Sequence, residues 1–401
     1  MENSFKYNTN ESIALEEKFG YRTFYDYYPI EGWLMNCCLK KDRDDNLDIH
    51  LYFVEENGEK FKLKIKFYPS CTIETLDNFV VEEYLLRKYP QCINKIEAVK
   101  KYDCEEYNYI NNGPKDMLRV FMNIESDLKT FIRDIREIIF DNRSRESEVL
   151  DDFNEYENYD AKYFIKKLHE YDVPHETQAM IDLNLRCGSW YRISYDGSRY
   201  DFDKMERSKK PVLKILAYDI ETAKSQLRFP NDSKDPVMMI SVMCDTTGYL
   251  IVNRNAISCD INNFNYFPTD DIGSKFVVFN EKDEENLLVR FVKIVQEYAP
   301  LIITTYNGGI FDFRYIDKRL QKYKISFYDL TGYSGNKEYF NCSFMLHLDC
   351  YKWVKRDSSL PLMSQGLKTV CRLRLNYEPE DIDPEDLMRC AIEEPFRLAK
   401  Y

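Results

Sequence analysis

"ILAYDIETAK", Ile215 to Lys224, sets two carboxylates into an otherwise apolar run. Ile215, Leu216, Ala217 and Tyr218 read as a strand entering a core, and only Ile220 separates Asp219 from Glu221. Residues i and i+2 of a strand project to the same face, so the two acids stand side by side. Adjacent carboxylates repel, and their ionised forms are costly away from water unless a cation joins them. The pattern points to a divalent cation at the C-terminal edge of a sheet, where open α/β sheets place their ligands. The plainer alternative is a strand end that reaches solvent. Asp-x-Glu alone is a weak signal, because the chain repeats it at Asp103/Glu105, Asp283/Glu285 and Asp383/Glu385. Those three lie in polar, acid-rich stretches, where solvated surface is expected.

Working outward, strands are expected at Val212 to Asp219, Val237 to Cys244, Tyr249 to Asn253 and Phe276 to Phe279. A helix from about Glu284 to Tyr298 places Leu287, Leu288, Phe291, Val292 and Val295 on one side. A further strand, Leu301 to Thr305, opens "LIITTYNGGIFDFRYI" and leads through Gly308-Gly309 to a helix beginning near Phe311. Three early strands followed by alternating helix and strand predict a mixed α/β sheet of the RNase H-like kind. If the Leu301 strand neighbours the first, Asp312 faces Asp219 and Glu221. Three carboxylates from two strand ends form most of a site for two cations about 3.5–4 Å apart, the arrangement that activates water against a phosphodiester. Asn307 and Phe311 flank the same cleft, and Phe311 either stacks on a base or packs in the core.

The N-terminal half reads as α+β. Residues 1–20 are expected to be loose. Tyr28 to Leu39 forms a first strand region, and "LYFVEENGEKFKLKIKF" a hairpin with a two-residue turn at Asn57-Gly58. Phe61, Leu63, Ile65 and Phe67 alternate with Lys62, Lys64 and Lys66, as in a half-buried strand. A helix over Leu76 to Lys88, strands near Ile93 to Val99 and Met117 to Ile124, and a helix capped by Ser126 follow. That order resembles the RNA-recognition topology without its aromatic strand motifs, so RNA binding does not follow. Asn142 to Asp160 reads as an acidic linker, Tyr163 to Tyr200 as a second block, and Asp201/Asp203 as loop. The expected division is an N-terminal domain over 21–210 and an α/β domain over 211–401.

Composition narrows the class. The chain has 401 residues with 44% hydrophobic and 15% aromatic content, enough for sizeable cores. No apolar run reaches the roughly 20 residues that cross a bilayer, and Met1 to Asn10 lacks a signal-peptide apolar region. Twelve cysteines without a Cys-x-x-Cys pair argue against a zinc ribbon or redox motif and are expected to be reduced and mostly buried. Four histidines give little support to a His-based centre, so a hard cation on oxygen ligands is favoured. The net charge of −13 is unlike a stand-alone nucleic-acid binder. Tyr351 to Leu375 runs the other way, with Lys352, Lys355, Arg356, Lys368, Arg372 and Arg374 against Asp357, and with Tyr351 and Trp353 among them.

"AYDIETAK" and "YNGGIFDF" resemble the first and second exonuclease motifs of the B-family DNA polymerases. The similarity continues through "FPNDSKDPVMMISVM", "GYLIVNR", "HLDCYKWVKRDSSLP" and "YEPEDIDPEDL", and back through "EYDVPHETQAMIDLNLRCGSWY". This extended run is similar to the epsilon branch of that family over about Tyr163 to Tyr401, and more weakly over "EGWLMN" and "YFVEENGEKFKLKIKFYP". The resemblance implies a 3′–5′ proofreading exonuclease domain preceded by the family's N-terminal domain. It implies Asp219, Glu221 and Asp312 as ligands of two Mg2+ or Mn2+ ions, with Glu221 also positioning the attacking water. Asn307 and Phe311 would contact the unpaired 3′ end of DNA, and Lys352, Lys355, Arg356 and Lys368 would face the strand. It further implies a primer-template partner, accessory replication subunits, a nuclear location and no membrane. The full-length family also carries an iron–sulfur cluster, for which this sequence shows no site.

Two departures matter. Gly309 stands where relatives commonly have an acid, at a position that is not a metal ligand. The third exonuclease motif is Tyr-x-x-x-Asp; "EEPFRLAKY" matches its approach, and Tyr401 falls on its catalytic tyrosine, so the aspartate is expected beyond the residues given. No polymerase palm motif is present. Two readings follow: a metal-dependent nuclease module of a longer polymerase, or a catalytically inactive piece with a structural or partner-binding role.

Overall fold

The computed structural model describes residues 9–146, 160–269, 273–336, 339–356, 360 and 364–401. Most of the expected acidic linker therefore lies outside the described residues, as do Asp357 and its neighbours. Asn142 itself is helical, because the helix Glu125–Glu146 runs through it.

The strand Ile215–Thr222 (β1) is central to a seven-stranded sheet. Its partners are Val237–Cys244 (β2), Thr247–Asn253 (β3), Asn265–Tyr266 (β4), Ser274–Glu281 (β5), Ile302–Thr305 (β6) and Leu346–Asp349 (β7), in the order β4-β5-β3-β2-β1-β6-β7. β1, β2 and β3 are antiparallel, while β6 and β7 run parallel to β1. This is the predicted RNase H-like arrangement. Burial alternates along β1: Leu216, Tyr218 and Ile220 enter the core, and Ala217, Asp219 and Glu221 share the open face. Helix Glu284–Tyr298 covers the buried face with Leu287, Leu288, Phe291, Val292 and Val295, the stripe the sequence predicts.

The N-terminal half differs from expectation. The hairpin strands Leu47–Val54 and Lys60–Phe67 belong to a six-stranded sheet that also holds Tyr21–Thr23, Ile30–Lys41, Trp190–Tyr195 and Tyr200–Met205. Asp201 and Asp203 are thus on an edge strand, not in a loop. The RNA-recognition-like order is real but starts later. Ser70–Thr75, helix Asn78–Lys88, Ile93–Lys101, Lys115–Met122, helix Glu125–Glu146 and Ile165–His169 give a βαββαβ unit with its own four-stranded sheet and core. Ser126 lies inside the second helix; its N–H donates to Asp45 Oδ2 (2.9 Å), so the end is capped from another sheet. Asn57-Gly58 makes a longer turn than predicted. Of the pair, Gly58 alone takes positive φ (89°), and Glu55 N–H donates to Glu59 O (2.8 Å).

The expected loose N-terminus is helical from Thr9 to Lys18 (α1), with Phe19 and Glu16 fully buried. α1 covers part of the lysine row, so Lys60 and Lys62 are buried instead of facing water. Glu16 accepts from Lys40, Lys62 and Tyr52 Oη (2.8 Å). Lys60 Nζ donates to the carbonyls of Phe19 (3.1 Å) and Ala299 (2.6 Å), reaching into the α/β domain. Tyr21 Oη donates to Phe344 O (2.8 Å) and Asn36 Nδ2 to Ser343 O (2.9 Å). One hydrophobic cluster joins Phe19, Tyr21, Met35, Tyr52 and Val54 to the RNase H-like core. All twelve cysteines are free; five are buried, fewer than expected, and Cys104 and Cys187 are exposed.

Candidate active site

The topology brings the first two motifs together. β6 pairs in parallel with β1 through Ala217↔Thr304, two residues before Asp219. Beyond that pair β6 turns away, and the chain returns as helix Asp312–Lys322 (α2) with Asp312 as its first residue. The return is tight. Asn307 takes a left-handed φ of 64°. A Cβ on Gly308 would lie 2.5 Å from Thr305 Oγ1 and 2.9 Å from Asp312 Oδ2, so only glycine fits. The register of β1 against β2 shifts at Glu221, a bulge that re-aims the strand end as it leaves the sheet.

The electrostatics are those of crowded acids. Burial pushes Asp312 well above the ordinary carboxyl range, and the charges of Asp219 and Glu221 push it further. Asp219 is also raised by burial, while its hydrogen bond with Asp312 pulls it back. The same hydrogen bond raises Asp312 and lowers Asp219, so the two carboxyls share a proton as a coupled pair. Glu221 is pushed up to about 8 by burial and by Asp219, against the opposing charge of Lys368. Asp312 Oδ1 is buried with no hydrogen-bond partner. An all-oxygen set with an orphaned carboxylate oxygen and raised carboxyls fits a hard divalent cation, which would supply the missing partner and release the proton.

The remaining expected residues divide. Tyr401 and Lys368 join Glu221: Lys368 Nζ lies 4.0 Å from the Tyr401 ring centroid and pairs with Asp381. Burial and the charge of Glu221 raise the Tyr401 hydroxyl. Phe311 is the residue before α2, half-buried against the core and 5.3 Å from the Tyr315 ring, so packing claims part of it. Lys352 and Lys355 sit on the helix Cys350–Val354 (α3) and just past its end, over the rings of Tyr339 (3.9 Å) and Tyr351 (5.0 Å), and Arg356 follows exposed. Arg372 is engaged by Glu378 (2.6 Å), which removes it from a free basic face.

Two features escaped the sequence reading. After β1 the chain displays Leu227 and Phe229, each 92% exposed, in a loop held by Glu385, which accepts from Lys224 and from Leu227 N–H (2.8 Å). The signal was the apolar pair in "SQLRFP". Glu385 is therefore a staple; Asp283 caps the helix Glu284–Tyr298 through Asn286 N–H (3.0 Å); and Asp103 is buried against Lys167 (2.9 Å). Only Asp103, which is buried, departs from the solvated surface expected of the three, since Asp283 and Glu385 stay partly exposed. Among the described residues, Glu74, Asp103 and His169 bring metal-type donor atoms within 4.8 Å of one another, but Lys115 and Lys167 already neutralise them.

Carboxylates from β1 and the start of α2 thus meet at one edge of an RNase H-like sheet. Residues 166–370 match the family described as DNA polymerase family B, exonuclease domain, and the chain belongs to that family. It is 36% identical over 360 residues to a DNA polymerase epsilon catalytic subunit of Kluyveromyces lactis, covering 88% of this chain and 16% of that protein. A DNA polymerase epsilon catalytic subunit of Arabidopsis thaliana is 34% identical over 410 residues, covering 98% of this chain and 19% of the relative. The chain thus spans less than a fifth of these curated relatives. The solved family B DNA polymerase of Pyrobaculum calidifontis shares the fold at a TM-score of 0.65 and 16% identity, over 93% of this chain and 44% of that one.

Proposed function

We propose that the chain is the exonuclease-bearing front part of a catalytic subunit of the polymerase epsilon type, and that its cleft removes nucleotides from a DNA 3′ end. The observation carrying this reading is the convergence of Asp219, Glu221 and Asp312, with raised carboxyls and an orphaned Asp312 oxygen. Asp219, Glu221 and Asp312 hold Mg2+ or Mn2+. Bound there, the cations supply a lowered water pKa and charge neutralisation at the phosphate. Glu221 orients water, Tyr401 lines the same side, and Lys368 balances the charge of Glu221. Asn307 and Phe311 receive the terminal nucleotide, and Lys352, Lys355 and Arg356 track the backbone. Primer-template DNA and replication subunits are the partners, proofreading is the role, and the nucleus is the location. Among the described residues no helix is long and apolar enough to cross a membrane.

The test uses a 3′-labelled single-stranded oligonucleotide. Binding is expected to require Mg2+, Mn2+ or Ca2+, and both binding and any release of mononucleotides are expected to vanish in Asp219→Ala and Asp312→Ala. Cation-independent binding, or hydrolysis surviving Asp219→Ala, overturns the reading.

A further inference from the structure

Asp349 ends β7 directly beside Thr305, which ends β6. The two strands leave the sheet together, one into the Asn307 turn and Asp312, the other into α3 with Lys352 and Lys355. Asp349 is 6% exposed, and its Oδ1 accepts two backbone hydrogen bonds: from Asn307 N–H at 2.8 Å and from Tyr351 N–H at 3.1 Å. The first holds Asn307 in left-handed conformation, φ 64°, a region that asparagine enters more readily than other non-glycine residues. The second caps α3. Oδ2 is buried with no partner, so the carboxylate is committed through one oxygen to both elements. Below this tie, Thr304 Oγ1 meets Leu348 O and Cys350 Sγ, each at 3.0 Å, and the Tyr306 and Tyr351 rings lie 5.7 Å apart.

We propose that Asp349 is a positioning residue: one carboxylate oxygen locks the turn that delivers Asn307 and Asp312 to the helix that carries the strand-facing lysines. It rests on the exonuclease reading for its purpose, but the coupling itself is a property of the fold. A DNA 3′ end must meet the terminal-nucleotide pocket and the backbone track at a set separation. Placement errors of about 1 Å cost a nuclease heavily, so a rigid tie between the two is what such a cleft needs.

Three variants separate the roles. Asp349→Ala removes both bonds. Asp349→Ser keeps a short oxygen that caps α3 but does not reach Asn307. Asp349→Asn keeps Oδ1 and is expected to restore the parent's behaviour. Hydrogen exchange over 304–311 and 350–354 is read alongside binding of the 3′-labelled oligonucleotide. In Asp349→Ala both segments are expected to exchange about tenfold faster, the scale of one charged-group hydrogen bond. In Asp349→Ser only 304–311 speeds up. Both variants are expected to weaken 3′-end binding about tenfold while leaving the rest of the protein protected. Unchanged exchange at 304–311, a change spread over the whole chain, or faster exchange with undiminished 3′-end binding each overturns the proposal. A parent chain that binds no DNA with cation present overturns the exonuclease reading instead, and the exchange arm then decides the coupling alone.

Discussion

Glu221 is the residue whose chemistry is most exposed to test. Its carboxyl is raised to about 8, by burial first and Asp219 second. Between its ordinary value and about 8 the folded protein holds a proton that the unfolded chain has released. Stability without metal therefore falls as pH rises through that window, and the penalty is complete above it. Glu221→Gln is expected to be more stable than the parent at pH 9 in EDTA, with the difference fading towards pH 5; paired thermal melts read this. The same linkage makes cation affinity rise with pH up to about 8. Since Lys368 holds Glu221 down, Lys368→Met is expected to move the midpoint of Mn2+ binding to higher pH, measured by titration across a pH series. Asp219 and Glu221 were legible in the sequence because a two-residue period on an apolar strand leaves little freedom. Asp349 was not, since a single acid in "HLDCYK" does not show that it will meet Asn307.

At the scale of elements, α2 is anchored by a pair that hydropathy cannot show. Arg319, 1% exposed, donates to Glu284 Oε1 (2.7 Å) and Oε2, and Glu284 also accepts from Val237 N–H (2.8 Å) and Tyr323 Oη (2.8 Å). One carboxylate thus ties α2, β2 and the helix Glu284–Tyr298. Breaking a buried pair from one side leaves an uncompensated charge, so Arg319→Met is expected to cost roughly 3–5 kcal/mol, read by urea denaturation. Gly308→Ala tests the turn. Its Cβ would collide with Thr305 and crowd Asp312, so loss of cation binding is expected with less loss of stability than in Arg319→Met. The hydrophobic stripe of Glu284–Tyr298 was readable because a 3.6-residue period survives any context. The hairpin's sheet was misassigned because strand pairing between distant segments leaves no local mark.

Over the whole molecule, one hydrophobic cluster takes residues from the N-terminal six-stranded sheet and from the exonuclease sheet, across the boundary expected near 210. Residues 211–401 expressed alone are expected to bind a hydrophobic dye and unfold at lower denaturant than the full chain. Glu16 is the polar counterpart of that seam. Burial pushes its carboxyl up, but Lys40 and Lys62 prevail and hold it below the ordinary value. Its contribution is present above the unfolded carboxyl's pKa and is lost as pH falls through the lower folded value. Glu16→Ala removes the buried carboxylate that Lys62 pairs with and is expected to cost about 3–5 kcal/mol, measured at pH 7 by chemical denaturation.

By itself the sequence determined the mixed α/β class of the RNase H-like domain, the shared face of Asp219 and Glu221 on β1 and the turn at Gly308, because strand and helix periodicity and tight turns are set by local stereochemistry. Only the tertiary structure decided that Asp219 and Asp312 share a proton, that Tyr401 and Lys368 close on Glu221, that Asp349 joins two elements, and that α1 seals the N-terminal sheet to the exonuclease core. Each of those depends on burial and on distances between residues far apart in the chain, where desolvation and charge set the chemistry.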